Sequence, residues 1–427
     1  MMKYAYVNGI VLDGTMEMEP KTDMVVLTNG ERIEKIAPKD TDVSGYERID
    51  LGGHYLMPGL INLHVHLPAD GKPKNKPTDP RKMVKLITSN ALLCKVGIAL
   101  CEKYARTQLM SGVTTIRTVG GVLGWDSLIR DRVRAGKTTG PRILAANMAV
   151  SVPGGHMAGS LAYEAKSADE ARNYVREIAK DSPDLIKLMI TGGVLDAKAK
   201  GEPGELKMPA GYVKAACDEA HRLGYHVAAH VESPEGVRVA LENGVDTIEH
   251  GAKPDEEILR LFKEKGAAHV TTLSPALPYA LFDRSVSKAT EVEQYNGNVV
   301  FEGIRDCAVA CLEHGIPVGL GTDTGCTYVT HYDMWREMQL FYKYCGVTRK
   351  FALYSATLGN AKIVGIDKET GSIEAGKCAD FVVTRKNPLE DLTALRDISM
   401  VVARGKVIRD PKVKKMPEVE REMDKFM

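Results

Sequence analysis

Eight short apolar runs recur between residues 60 and 322, and helical stretches separate most of them. This alternation constrains the fold more than any single motif does. The runs are Leu60 to His66, Gly112 to Arg117, Arg142 to Ala146, Leu185 to Ile190, His226 to His230, Thr247 to His250, Ala268 to Thr272 and Pro317 to Thr322. Helical patterns cover Lys82 to Met110, Ala168 to Lys180, Gly211 to Leu223, Glu235 to Asn243, Glu256 to Lys265 and Phe301 to His314. Strands that alternate with helices pair in parallel, and eight of them are best accommodated as a closed (β/α)8 TIM-like barrel of the α/β class.

The two ends of the chain read differently. Tyr4 to Leu12, Met24 to Leu27, Arg32 to Ala37 and Tyr46 to Asp50 are β-like and broken by Asp-Gly and Asn-Gly turns, and β character returns at Asp380 to Thr384, Ser399 to Val402 and Val407 to Ile408. The expected layout is a barrel over residues 58–365 and a small β-sandwich domain built from both chain termini, residues 1–57 and 366–427. Met334 to Tyr344 and Thr348 to Val364 read as further helices, Pro411 to Met427 as a solvated helix, and Pro68 to Pro80 as a long exposed loop. A net charge of +1 supplies no field for nucleic acid or an anionic membrane, and no apolar run approaches the ~20 residues of a membrane span. A soluble, cytoplasmic protein with a small-molecule substrate is expected. Eight cysteines without a Cys-x-x-Cys pair read as reduced, mostly packing residues.

Chemistry in such a barrel sits at the C-terminal ends of the strands. His64 and His66 end the first run two residues apart, on one face; Lys187 lies in the fourth, His230 ends the fifth, His250 the sixth, and Asp323 closes the eighth in G-T-D-T-G. Imidazoles, a carboxylate and open positions suit Zn2+ or a similar divalent ion. Lys187 has only apolar neighbours from Leu185 to Ile190, where desolvation favours the neutral amine. Such an amine can add CO2 to become an anionic carbamate, or stay unmodified beside an acidic partner.

These motifs are similar to those of the amidohydrolase superfamily: P-G-L-I-N-L-H-V-H (Pro58 to His66), S-G-V-T-T-I-R (Ser111 to Arg117), I-K-L-M (Ile186 to Met189), H-V-A-A-H (His226 to His230), I-E-H-G (Ile248 to Gly251), G-T-D-T-G and the tail G-S-I-E-A-G-K-C-A-D-F-V-V (Gly371 to Val383). The chain resembles that superfamily along nearly all its length. The branch it resembles most is the prolidase-like one of Xaa-Pro and arginine or lysine carboxypeptidases, which is also similar to imidazolonepropionase. The resemblance implies a binuclear zinc site, with His64, His66 and Asp323 on one ion, His230 and His250 on the other, and carboxylated Lys187 and a hydroxide bridging them. Asp323 would be the catalytic proton carrier, and a homo-oligomer is implied. The activity implied is amide hydrolysis in a dipeptide, N-acyl amino acid or related small amide. A cyclic amide or lactone is the alternative substrate, and a non-catalytic scaffold is disfavoured because all six metal-site residues are present.

Some positions depart from the relatives. Ser233 stands where mononuclear deaminases of the superfamily carry Glu, and Lys187 is present, which disfavours deamination. Glu232 stands where prolidase-like members place a Tyr against the substrate carboxylate, so a cationic or neutral substrate group fits there at least as well as a carboxylate. His156, in P-G-G-H-M-A-G (Pro153 to Gly159), matches a loop that borders the substrate. Arg117 is followed by Thr118 where the family often has Asp, which leaves open what that carboxylate would orient. His54, His221, His226 and His314 read as structural, and His269 and His331 stay open.

Overall fold

The computed structural model describes residues 2–73, 79–201 and 203–427, so the middle of the loop expected at Pro68 to Pro80 lies outside the described residues. Leu60–Val65, Val113–Thr118 and Arg142–Leu144 form a three-stranded parallel sheet. A seven-stranded parallel sheet runs in the order Ala162–Glu164, Ala149–Ser151, Leu185–Met189, His226–Val231, Thr247–His250, Ala268–Thr271, Val318–Leu320. The expected third run, Arg142 to Ala146, is a strand only to Leu144 and pairs with the second, while a further strand outside it, Ala149–Ser151, pairs with the fourth. Asn147 divides them: it is left-handed at φ 63°, its carbonyl accepts from the Gly121 N–H, and its side chain exchanges hydrogen bonds with Ser127.

Asn360 links the last parallel strand to the first. Its amide nitrogen donates to the Ile61 and Leu320 carbonyls, both at 2.8 Å, and its oxygen accepts from the Leu320 N–H at 2.9 Å. Beyond it the Asp323 N–H donates to the His64 carbonyl and the His66 N–H to the Thr324 carbonyl. These bonds set His64, His66 and Asp323 side by side.

The helical layer departs from expectation where local capping overrides the hydrophobic period. Lys82 to Met110 is two helices, Pro80–Ile87 and Ala91–Met110, that meet at 115°, because Asn90 accepts from the Leu92 and Leu93 N–H groups and starts a new helix. Phe301 to His314 is the end of Glu291–Glu313, which begins at a Thr290/Glu293 capping box. Leu273–Leu281 is helical despite Pro278 inside it. Pro411 to Met427 is not a solvated helix: only Pro417–Met423 is α-helical, Val419 and Met423 are buried, and Glu420 and Asp424 clamp the Arg336 guanidinium, whose side chain is 0% exposed. Among the described residues no single helix is long and apolar enough to cross a membrane.

Two sheets come from the chain ends. Arg32–Pro38, Met24–Asn29, Lys3–Val7 and Glu47–Asp50 form one; Lys406–Arg409, Ile398–Ala403, Phe381–Thr384, Tyr55–Pro58 and Ile10–Val11 form the other. Tyr6, Val26 and Ile33 of the first meet Leu56, Phe381 and Val402 of the second in one buried cluster. The expected strand Tyr4 to Leu12 is thus shared between both sheets, with left-handed Asn8 at the break.

Replacing Asn360 with Ala leaves two strand carbonyls and one N–H without partners. Urea unfolding should show a loss of at least about 3 kcal/mol, the lower bound for three groups at roughly 1–3 kcal/mol for each buried polar group left unpaired.

Candidate active site

The strand ends converge on a cavity of about 210 Å³ lined by His64, His66, Lys187, His230, His250 and Asp323 together with His156 and Glu232. All eight residues singled out in the sequence are brought together. Two of them, His250 (φ 68°) and Asp323 (φ 54°), sit in the left-handed region as their strands end, and Gly251 continues at φ 82°. A non-glycine residue keeps that conformation only where its surroundings enforce it, a pattern that clusters at functional sites.

Four of the five rings are held through Nδ1. His64 donates from Nδ1 to the Glu249 carboxylate at 2.8 Å, and His66 from Nδ1 to the Gly120 carbonyl at 2.8 Å. Their Nε2 atoms then converge on Asp323 Oδ1, at 3.5 and 3.2 Å. His250 Nδ1 pairs with the Thr272 hydroxyl at 2.7 Å. His156 stacks face to face on His230 with ring centres 4.1 Å apart, and Asp196 holds His156 Nδ1 at 2.6 Å.

Burial, helped by the Lys187 charge, pulls the His64 ring down to about 4. Burial and neighbouring rings hold His230 and His250 well below the usual imidazole range. Near neutral pH these rings are uncharged and keep a lone pair, the form a metal requires. Burial also pulls Lys187 down to about 8; its side chain is 1% exposed and its Nζ has no hydrogen-bond partner. Burial works to raise the Asp323 carboxyl, but the surrounding His64, His66 and His250 rings outweigh it and hold the group well below the carboxylate range. Glu232 goes the other way, pushed up to about 8 by burial and by the Asp323 and Asp196 charges.

His64, His250 and Asp323 offer ligand atoms that all lie within 4.8 Å of one another, and so do His230, Glu232 and His250. His250 therefore reaches both groups. Glu232, expected against the substrate, is also near enough to the His230 and His250 rings to serve as a ligand. Neutral imidazoles, carboxylates and an orphaned amine together fit a borderline divalent ion.

Glu249 and Asp196 were not singled out in the sequence. Glu249 is 0% exposed and accepts from His64, from Arg117 Nη2 at 2.6 Å and from the Thr247 hydroxyl at 2.7 Å. Burial would raise it, but Arg117 and His64 keep it ionised, well below the carboxylate range. The signal was a carboxylate inside a strand, next to His250. This also answers the departure at Thr118, whose hydroxyl accepts from the Ala146 N–H: Glu249 orients His64, and the Gly120 carbonyl orients His66. None of His54, His221, His226, His269, His314 and His331 lines the cavity. His331 stacks on Tyr104, and His269 donates from Nε2 to the His250 carbonyl.

The amidohydrolase family model matches residues 55–408. The chain belongs to the amidohydrolase family. This amidohydrolase is 36% identical to a Bifidobacterium longum protein provisionally described as a prolidase, with a TM-score of 0.88 and 99% of this chain and 98% of that one covered. It is 29% identical to a Xaa-Pro dipeptidase solved with bound methionine, at a TM-score of 0.83, covering 95% of this chain and 100% of that one. Ochratoxinase of Aspergillus niger is 26% identical over 388 residues, 83% of this chain and 76% of its own length. Members of the family are hydrolases, typically metal-dependent, and the donor set at the cavity is of that kind.

Glu249→Gln keeps the shape and removes the charge that orients His64. Metal titration should show affinity falling about 10- to 100-fold, the usual cost of losing a partner behind a ligand.

Proposed function

We propose that this amidohydrolase cleaves an amide bond at a binuclear zinc site. The observation that carries this reading is Lys187, an amine buried within strand Leu185–Met189 where it lines the cavity, with no hydrogen-bond partner and held low enough to react with CO2. His64, His66 and Asp323 would hold one ion, His230 and His250 the other, and the Lys187 carbamate both. Bound there, two divalent ions supply Lewis acidity to the scissile carbonyl and acidify a water.

The chain's own residues do the rest. Asp323, kept ionised among three rings, accepts the proton of the attacking water and passes it to the leaving nitrogen. His156, fixed by Asp196 and by stacking on His230, borders the substrate, and Glu232 lies on the same side of Gly193. Deamination is not supported: the Ser233 hydroxyl is occupied in capping helix Pro234–Glu242. The names of the prolidase-like and dipeptidase relatives denote peptide-bond hydrolases, which favours an amide. We read the two parallel sheets as one (β/α)8 barrel over residues 58–365, supported by the Asn360 bridge, and the two terminal sheets as a sandwich, supported by their shared core.

The test is amine release from a panel of dipeptides, N-acyl amino acids, simple amides, cyclic amides and lactones, using zinc-reconstituted protein prepared with bicarbonate. Turnover of linear amides should stop on chelation, return with zinc, and fall about a thousandfold in Asp323→Asn, at the scale of losing a proton-transfer group. Two bound zinc ions with no amide cleaved anywhere in the panel would sink the proposal.

A further inference from the structure

Beyond the metal-ligand cluster the cavity wall changes character. Met157, Leu161, Val194, Leu195, Val300 and Ile304 line it, and among the described residues Lys187 is the only lysine or arginine that does. Among the described residues, apart from the histidines and Asp323, the other ionisable side chains lining it are the Cys326 thiol, which burial pushes up and so keeps protonated, and Glu232, whose Oε2 is buried without a hydrogen-bond partner. That oxygen and the His156 ring flank Gly193, at 3.4 and 3.5 Å from where a Cβ on it would lie, so both front the same side of the cavity.

An apolar wall rewards apolar substrate surface and offers nothing to replace the hydration of an anion. An ionised Glu232 repels a carboxylate, and a protonated one gives a single donor and no charge. In either state it suits an amide N–H, to which a carboxyl oxygen accepts. An unpaired buried acceptor is costly until such a donor arrives.

We infer that the substrate is an uncharged, apolar amide without a free carboxylate, its N–H received by Glu232 and its apolar body lying on the Met157–Ile304 wall. This rests on the amide-hydrolase reading and departs from the dipeptide and N-acyl amino acid classes.

The decisive pair is N-phenethylacetamide and N-acetylphenylalanine, which differ only in the carboxylate. Each is presented to the zinc-loaded enzyme, with kcat/KM measured where it is cleaved and Kd by calorimetry where it is not. The neutral amide should be favoured by at least about tenfold, or 1.4 kcal/mol. Glu232→Gln, with both zinc ions retained, should weaken the neutral amide and narrow that preference.

Equal or better use of N-acetylphenylalanine overturns the inference, as does failure to bind either compound. Loss of a zinc ion in Glu232→Gln would make Glu232 a ligand and overturn its assignment. Selective binding of the neutral amide without cleavage would uphold this inference and count against the hydrolase reading, so the two fail separately.

Discussion

Glu249 keeps its charge at zero exposure because three donors meet it: the His64 ring, the Arg117 guanidinium and the Thr247 hydroxyl. Isolated, an ionised carboxylate at that depth would cost several kcal/mol. With its partners it becomes a fixed point. Arg117 in turn donates from Nε to the Leu63 carbonyl and from Nη1 to Thr247, so one guanidinium ties the first and sixth parallel strands to the second. The His64 ring can then point only toward Asp323.

The same dry surroundings set the chemistry of the cavity. Burial that is expensive for charges keeps three imidazoles neutral and Lys187 close to losing its proton, and the Asp323 carboxyl lies well below the carboxylate range. The protonation states that metal binding needs are therefore present in the protein before any ion arrives. Left-handed backbone at His250 and Asp323 is the local strain that this arrangement carries, and the Asp323 N–H to His64 carbonyl bond helps to hold it.

Much of this was legible in the sequence. Each of the eight expected runs falls on a parallel strand, while Ala149–Ser151 and Ala162–Glu164 were not foreseen; the polar residues at the run ends include all the histidines of the cavity's candidate metal groups and Asp323, whereas Glu232 was read only as a substrate contact. What failed did so where local bonding outweighed the hydrophobic period. Asn90 restarted a helix, left-handed Asn147 turned the chain ahead of an unforeseen strand at Ala149–Ser151, and Leu273–Leu281 formed around a proline. The charged tail read as solvated because alternating Lys, Arg and Glu carry no sign of a partner. Arg336, some 80 residues earlier, is that partner, and a one-dimensional pattern does not show it.

The sequence by itself determined the fold class, the family and which histidines, lysine and aspartate reach the strand ends or face inward, because strand periodicity fixes both. Only the tertiary structure decided how they are oriented and charged. Glu249 behind His64, Asp196 behind His156, the apolar wall facing Glu232 and the orphaned amine of Lys187 all depend on contacts between strands and loops far apart in the chain. Desolvation and hydrogen bonding act through those contacts, so the protonation state of each group and the kind of substrate the cavity accepts are properties of the assembled site.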